Sequence, residues 1–390
     1  MQDFEKTTRY YEPASSHASG QIVTIFDGGV APRTFSLANL GKAVVTFGRS
    51  EDNDIVLTSP LVSRYHGRFV QQYGTWRIED TGSTNGLICN NANIKSREIC
   101  DGDFIRIDDG VETIAEGVLF VFSSAESENR WYTLPIAGAN SVTIGRDTGC
   151  TITLPHVSVS KCHAKITLEN GVHYITDTGS TNGVVVNGKR ISGRVRLHEK
   201  DVIAITNSKL IFTSHAVSYC CYRNGITVDA SDILILRKQK QKKIVTCNHV
   251  SLNIRPGELV AIIGGSGAGK STVLNAMCGY LRPDDGEVYI NGVDLYRNFD
   301  SLKKLIGYVP QSDIVYDNLT LHDMLKYTAD LRLPKDVSES ELEAVIQRAI
   351  ATVELTEKKD SLIKRLSGGQ RKRASIAVEL LSDPNLLFLD

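Results

Sequence analysis

The sequence predicts a multidomain chain: two all-β sandwiches followed by an α/β domain built around a phosphate-binding loop. Three observations carry that prediction. They are a tandem repeat, short alternating runs inside each copy, and a glycine-rich loop set between a strand-like run and a helical one. The repeat comes first. Gly48-Arg49 recurs at Gly145-Arg146, Ser63-Arg64-Tyr65-His66 at Ser160-Lys161-Cys162-His163, and Asp80–Gly86 at Asp177–Gly183, each 97 residues later. Asp103-Phe104-Ile105 answers Asp201-Val202-Ile203 at an offset of 98. A register held over so many unlike residue types is a duplication.

Within each copy, Thr75–Glu79, Phe104–Ile107 and Lys165–Leu168 alternate apolar with polar residues, and Gly, Asn, Asp and Pro clusters separate the runs. Many short strands with turn chemistry between them predict a sandwich of about 100 residues. The expected boundaries are 21–125 for the first sandwich and 130–215 for the second. Polar Ser123–Asn129 joins the two, and residues 1–20 form an N-terminal extension. Beyond about Tyr222 the texture changes. The apolar run Leu259–Ile263 feeds a glycine loop, Thr272–Cys278 reads as helix, and Ser338-x-x-Glu341 is a capping box opening a helix to about Val353. Strand-like runs alternating with helices predict an α/β domain with a largely parallel sheet over 225–390. The basic run Arg237–Lys243 reads as a solvated hairpin tip, the alternative being contact with anionic headgroups.

Composition narrows the function. The 390 residues carry 44 basic and 45 acidic side chains, net charge −1, with 41% hydrophobic residues. Neither half of the chain is basic, which argues against nucleic-acid binding. The longest apolar run is five residues, as in Val118–Phe122, against the roughly 20 a membrane helix needs. The N-terminus Met1–Glu5 has no secretory pattern. The eight cysteines include no C-x-x-C pair and read as reduced, mostly buried thiols of a cytosolic protein. Adjacent Cys220 and Cys221 read as strand or linker residues, with a redox pair as the alternative.

The repeated residues have a chemistry in common. An Arg after Gly, a Ser followed by a basic residue, and a Thr-Asn pair in a glycine-bounded loop offer a guanidinium fork, hydroxyl donors and an amide. That is a donor set for a phosphate dianion and one peptide-backbone contact. The plainer alternative is a tight GSTNG turn and a surface arginine. In this order, G-R, S-x-x-H and T-G-S-T-N-G resemble the forkhead-associated (FHA) domain, over residues 20–125 and 130–215. The resemblance implies phosphothreonine binding. It assigns peptide contacts to Arg49, Ser63, Arg64, Thr84 and Asn85, and in the second copy to Arg146, Ser160, Lys161, Thr181 and Asn182. His66 and His163 would brace the loops. Leu87–Asn91 departs from the family pattern, whereas Val186-Asn187-Gly188 in the second copy is nearer to it.

Gly264-Gly265-Ser266-Gly267-Ala268-Gly269-Lys270-Ser271 is a complete G-x-x-x-x-G-K-S loop in the strand-to-helix context that the motif requires. Backbone N–H groups of such a loop wrap a polyphosphate at a helix N-terminus, with Lys270 on the β- and γ-phosphates and Ser271 on Mg2+. Thr272 opens the helix. Leu366-Ser367-Gly368-Gly369-Gln370 resembles the signature of ATP-binding-cassette (ABC) proteins. Gln311 is similar to the Q-loop glutamine, and Leu386–Asp390 to the Walker B strand that ends in a magnesium-holding carboxylate. The resemblance implies ATP and Mg2+ as ligands, with Ser271, Gln311 and Asp390 around the metal. It also implies a head-to-tail pair of cassettes in which Ser367, Gly368, Gly369 and Gln370 face the other subunit's nucleotide.

Ile314–Leu321 and Ala329–Pro334 are similar to the white-type (G) ABC half-transporters, and FHA modules ahead of such a cassette resemble bacterial exporters that read Ser/Thr-kinase signals. The expected function is thus the ATPase part of a transporter at the cytoplasmic face of the membrane. Its expected partners are a membrane domain, a second cassette and a phosphothreonine protein or its own phosphorylated segment. Two readings compete: a phosphothreonine-dependent adaptor with a vestigial cassette, and a soluble ABC ATPase of repair or translation type. In the family the catalytic Glu, D-loop and switch His follow the Walker B aspartate. The 390 residues are therefore expected to be hydrolytically incompetent by themselves. Ile233–Arg237 offers no aromatic for the adenine base.

Overall fold

A computed structural model describes residues 20–28, 32–89, 92–109, 116–124, 131–222, 226–239, 242–312 and 314–390. Nearly all of the N-terminal extension, most of the 123–129 connection, Asn90, Asn91, Lys240 and Gln241 lie outside the described residues.

The duplication is visible strand by strand. The first copy pairs a six-stranded sheet, ordered 33–36, 21–27, 118–124, 104–107, 87–89, 92–94, with a five-stranded one, ordered 55–56, 44–48, 67–72, 75–80, 96–98. The second copy repeats the five-stranded order as 152–153, 141–145, 164–169, 172–177, 194–196. Even the short parallel pairing recurs, Gly48 beside Val56 and Gly145 beside Thr153. Between the sheets, Phe47, Phe69, Phe120 and Phe122 fill the first core with ring centroids 4.9–6.4 Å apart. The second core is mainly aliphatic, built on Ile144, Ile152, Ile166, Ile175 and Leu210 with one buried ring, Phe212.

The six-stranded sheet of the second copy includes Ala216–Cys221, past residue 215. That strand is shared. Val217, Tyr219 and Cys221 face the second sandwich, while Cys220 joins the next core with Tyr222. A strand's two-residue period divides the adjacent cysteines between two cores. All eight cysteines are free thiols.

The C-terminal part contains α1 (Lys270–Met277), α2 (Phe299–Leu302), α3 (Leu321–Arg332), α4 (Glu339–Thr352) and α5 (Gly368–Leu380). The Ser338 capping box is present as expected, the Ser338 hydroxyl accepting from the Glu341 amide and the Glu341 carboxylate from the Ser338 amide. The expectation of a largely parallel sheet requires correction. Four strands form an antiparallel sheet ordered 242–254, 228–239, 285–290, 293–294, and among the described residues of this part only Ile306–Val309 and Leu386–Leu389 pair in parallel. Val228–Gln239 and Lys242–Ile254 are close neighbours in sequence, and strands so near in the chain pair antiparallel with no crossover helix. The run Leu259–Ile263 likewise departs from expectation: it joins no ladder, and Leu259 and Ile263 are 99% and 93% exposed. Apolar β-type residues form a strand only where a neighbour supplies hydrogen bonds, and none of the described strands pairs with this run. α3, α4 and α5 enclose a separate core of Leu321, Leu325, Ile346, Ile350, Ile363 and Ala377. Among the described residues no helix is long and apolar enough to cross a membrane.

Candidate functional site

The glycine loop ends in α1. Gly267 and Gly269 take φ of +80° and +89°, left-handed conformations open to glycine at little cost. A Cβ on Gly269 would also lie 2.7 Å from the Thr246 carbonyl oxygen. Gly264, Gly265, Ser266, Gly267 and Ala268 are exposed, Thr272 is buried under the helix, and the Ala268 amide donates to the Gly265 carbonyl at 3.3 Å. Lys270 Nζ turns back over the loop, donating to the carbonyls of Gly264 (2.9 Å) and Gly265 (2.8 Å). The ammonium is therefore held where an anion entering the loop would meet it.

Asp390 comes to the same place from the far end of the chain. Ser271 Oγ donates to its Oδ1 at 2.8 Å across 119 residues. A hydroxyl and a carboxylate so close are hard oxygen donors of the kind magnesium selects, so the residues fit that ion. Asp390 ends the strand Leu386–Leu389 and Gln311 follows its parallel neighbour Ile306–Val309, so both lie at the C-terminal ends of parallel strands. Gln311 is exposed. Sequence reasoning missed Lys372. Its Nζ donates to the carbonyls of Pro310 (2.6 Å) and Asp390 (3.0 Å), tying the two strand ends together from α5. Only its place in the basic cluster Arg371–Arg373, just after the signature, hinted at it.

Ser367 caps α5. Its hydroxyl accepts from the Gln370 amide at 3.4 Å, and Gln370 Oε1 accepts from the Ser367 amide at 3.0 Å. Gly368 and Gly369 have nothing within 4 Å of a notional Cβ, which leaves the helix N-terminus open. Among the described residues no hydrogen bond joins Ser367–Gln370 to the glycine loop. Ile233 and Ile235 are buried in the sheet's core and offer no surface to a base.

In the first sandwich, Gly48 brings Arg49 to the end of its strand. A Cβ on Gly48 would sit 2.3 Å from the Arg64 carbonyl, so only glycine lets the two loops pass this closely. Arg49 and Arg64 are exposed. Ser63 Oγ accepts from the Thr84 amide at 3.1 Å. His66 accepts from the Ser63 amide at 3.1 Å and meets the Gly86 carbonyl at 3.0 Å through its other nitrogen. Burial lowers the His66 pKa, holding the ring neutral as a brace. Asn85 differs from a free peptide contact: its Nδ2 donates to the Leu61 carbonyl at 2.7 Å.

The second sandwich repeats the arrangement. Ser160 Oγ accepts from the Thr181 amide at 3.3 Å, His163 bridges Ser160 and Gly183, and Asn182 donates to the Ser158 carbonyl at 2.6 Å. One difference is large. Arg146 is only 14% exposed and is paired with Glu341 and Asp336 of the C-terminal part.

Family models match these regions. The FHA domain model matches residues 45–108 and 142–206, and the ABC transporter model matches 247–390. The chain is 38% identical over 251 residues to the ABC transporter ATP-binding/permease protein Rv1747 of Mycobacterium tuberculosis, covering 64% of this chain and 29% of that protein. It is 38% identical over 175 residues to ABC transporter G family member 28 of Arabidopsis thaliana, covering 43% of this chain and 15% of that one. The chain thus spans less than a third of the length of these relatives. Among solved structures, the dimeric MJ0796, a bacterial ABC transporter cassette, matches at 27% identity and TM-score 0.39, over 42% of this chain and 73% of that one.

Proposed function

We propose, from the premise that this chain joins two FHA domains to an ABC transporter ATP-binding domain, that it is the ATPase part of a G-type exporter governed through phosphothreonine recognition. The observation that carries the nucleotide reading is the 2.8 Å contact between Ser271 and Asp390, which unites loop and strand end beside Lys270. Gly264–Gly269 would hold the phosphates by their amides, and Lys270 would pair with the terminal ones. Ser271 and Asp390, with Gln311, would hold Mg2+ and orient it. Bound Mg-ATP would supply the phosphoryl group whose transfer to water drives transport. Ser367–Gln370, at the N-terminal end of α5 with Ser367, Gly368 and Gly369 exposed, would face the nucleotide of a second cassette.

Arg49, Ser63, Arg64 and Thr84 form the phosphothreonine site of the first domain, with Arg146, Ser160, Lys161 and Thr181 their counterparts. Asn85 and Asn182 act there by bracing the loop. The partner is a protein phosphorylated by a Ser/Thr kinase or a phosphorylated segment of the same protein. A membrane domain places the cassette at the cytoplasmic face. A polypeptide of residues 1–390 is expected to bind ATP and turn it over negligibly, because the family's catalytic glutamate follows the residue matched here by Asp390.

The test is the magnesium dependence of ATP affinity. Asp390→Asn should weaken binding in the presence of Mg2+ and leave it little changed in EDTA. An equal effect in both would remove the metal role from Asp390.

A further inference from the structure

The two FHA sites differ in what faces them. Arg49 of the first is open, whereas its counterpart Arg146 is engaged by the ABC domain. Arg146 Nη1 donates to Glu341 Oε1, Nε donates to the Val159 carbonyl at 3.1 Å, and Nη2 stands 3.5 Å from Asp336 Oδ1. The other Asp336 oxygen accepts from the Lys161 amide at 2.6 Å. Two carboxylates from the α3–α4 connection and the first turn of α4 thus sit on the guanidinium and on an amide of the Ser-Lys pair. Together they bring two negative charges, about the charge of a phosphothreonine side chain.

The fit is incomplete in an informative way. Arg146 Nη2 and Asp336 Oδ1 are buried with no hydrogen-bond partner, although they form an ion pair. Two separate carboxylates cannot place oxygens on every donor as one tetrahedral phosphate could. The contact is also broader than a single pair. Ser158 Oγ donates to the Ser382 carbonyl at 3.3 Å, His156 Nε2 lies 3.2 Å from the Asp383 carbonyl, and Val157 packs on the α3–α4–α5 core. The loop 156–161, which in the first sandwich faces no part of the ABC domain in any described hydrogen bond, is here a docking loop.

We infer that Asp336 and Glu341 occupy the phosphate site of the second FHA domain as an internal substitute for phosphothreonine, so that a phosphorylated segment and the ABC domain compete for Arg146. This rests on the phosphothreonine reading of the FHA domains. In consequence the first domain is the open reader. The second binds a phosphorylated segment only by releasing α4 and its neighbours, which lie on the same domain as the signature Ser367.

The test uses residues 1–390 carrying Arg49→Ala, which silences the first site. The probe is a degenerate fluorescent peptide library fixed only at a central phosphothreonine, with its unphosphorylated counterpart. Adding Asp336→Asn and Glu341→Gln, which keep side-chain size and the α4 cap, should tighten phosphopeptide binding at least tenfold and leave the plain library unaffected. Arg146→Ala should then abolish the gain. Unchanged affinity, while the wild-type chain still prefers the phosphorylated library through Arg49, would overturn the competition alone. No preference for the phosphorylated library even in the wild type would overturn the phosphothreonine reading and this proposal with it.

Discussion

At the scale of single residues, chemistry and sterics are set by near neighbours. Gly145 shows it: a Cβ there would lie 2.1 Å from the Lys161 carbonyl oxygen, a backbone atom that cannot swing aside. Gly145→Ala should therefore displace the Ser160–Lys161 loop, visible as amide chemical-shift changes centred there rather than along the strand. Arg49 is a contrasting case, exposed and outside any core. Arg49→Ala should leave the unfolding temperature within about 2 °C while removing a charge-assisted contact worth about 1.5–3 kcal/mol to phosphopeptide affinity. A calorimetric scan and a peptide titration check the two halves. Equal loss for phosphorylated and plain peptides would deny the arginine its phosphate. Residues at this scale were legible in the sequence because the motifs are local: Ser63–His66, Thr84–Gly86 and the 264–271 loop all stand where their spacing placed them. Asn85 was half legible, since only the fold shows its amide turned onto Leu61.

At the scale of elements, helix ends are decided by caps. The Ser338–Glu341 box satisfies two amides at the start of α4, and Ser338→Ala should cost about 1 kcal/mol in urea unfolding. Glu341 does double duty, and its hydrogen bonds from Ser338, with help from Arg146, hold its pKa down at about 2 against 4.5 ordinarily. A depressed carboxylate pKa contributes stability that is complete above the unfolded value and lost as pH falls through the folded one. The stability that this carboxylate lends to the start of α4 should thus be complete above about pH 4.5 and be lost as pH falls toward 2, which denaturant titrations across that range would read. Strands followed different logic. Two strands flanking the basic run 237–243 were legible, but the antiparallel pairing of Val228–Gln239 with Asp285–Ile290 and the unpaired Leu259–Ile263 were not, because an apolar run states a preference for β structure without naming its partner.

At the scale of the whole molecule, the three units meet around buried Lys209. Its Nζ donates to the Asn291 carbonyl of the C-terminal part, and lies 4.0 Å from the Phe104 ring of the first sandwich and 6.0 Å from that of Tyr222. Burial lowers its pKa to about 7 from 10.5. The unfolded chain then holds the extra proton between those values, so stability should rise with pH from about 7 to 10.5. Lys209→Met should flatten that rise in denaturant titrations at pH 7 and 10. Such junctions escape sequence reading. Arg146 and Glu341 are 195 residues apart, and no periodicity or motif links them.

The measurement that bears most directly on the central claim is calorimetric titration of Mg-ATP into residues 1–390, wild type against Lys270→Ala. Saturable binding by the wild type that Lys270→Ala weakens at least tenfold is the predicted result. No binding by the wild type, or the same affinity in both chains, would contradict the assignment of the 264–271 loop as a nucleotide site.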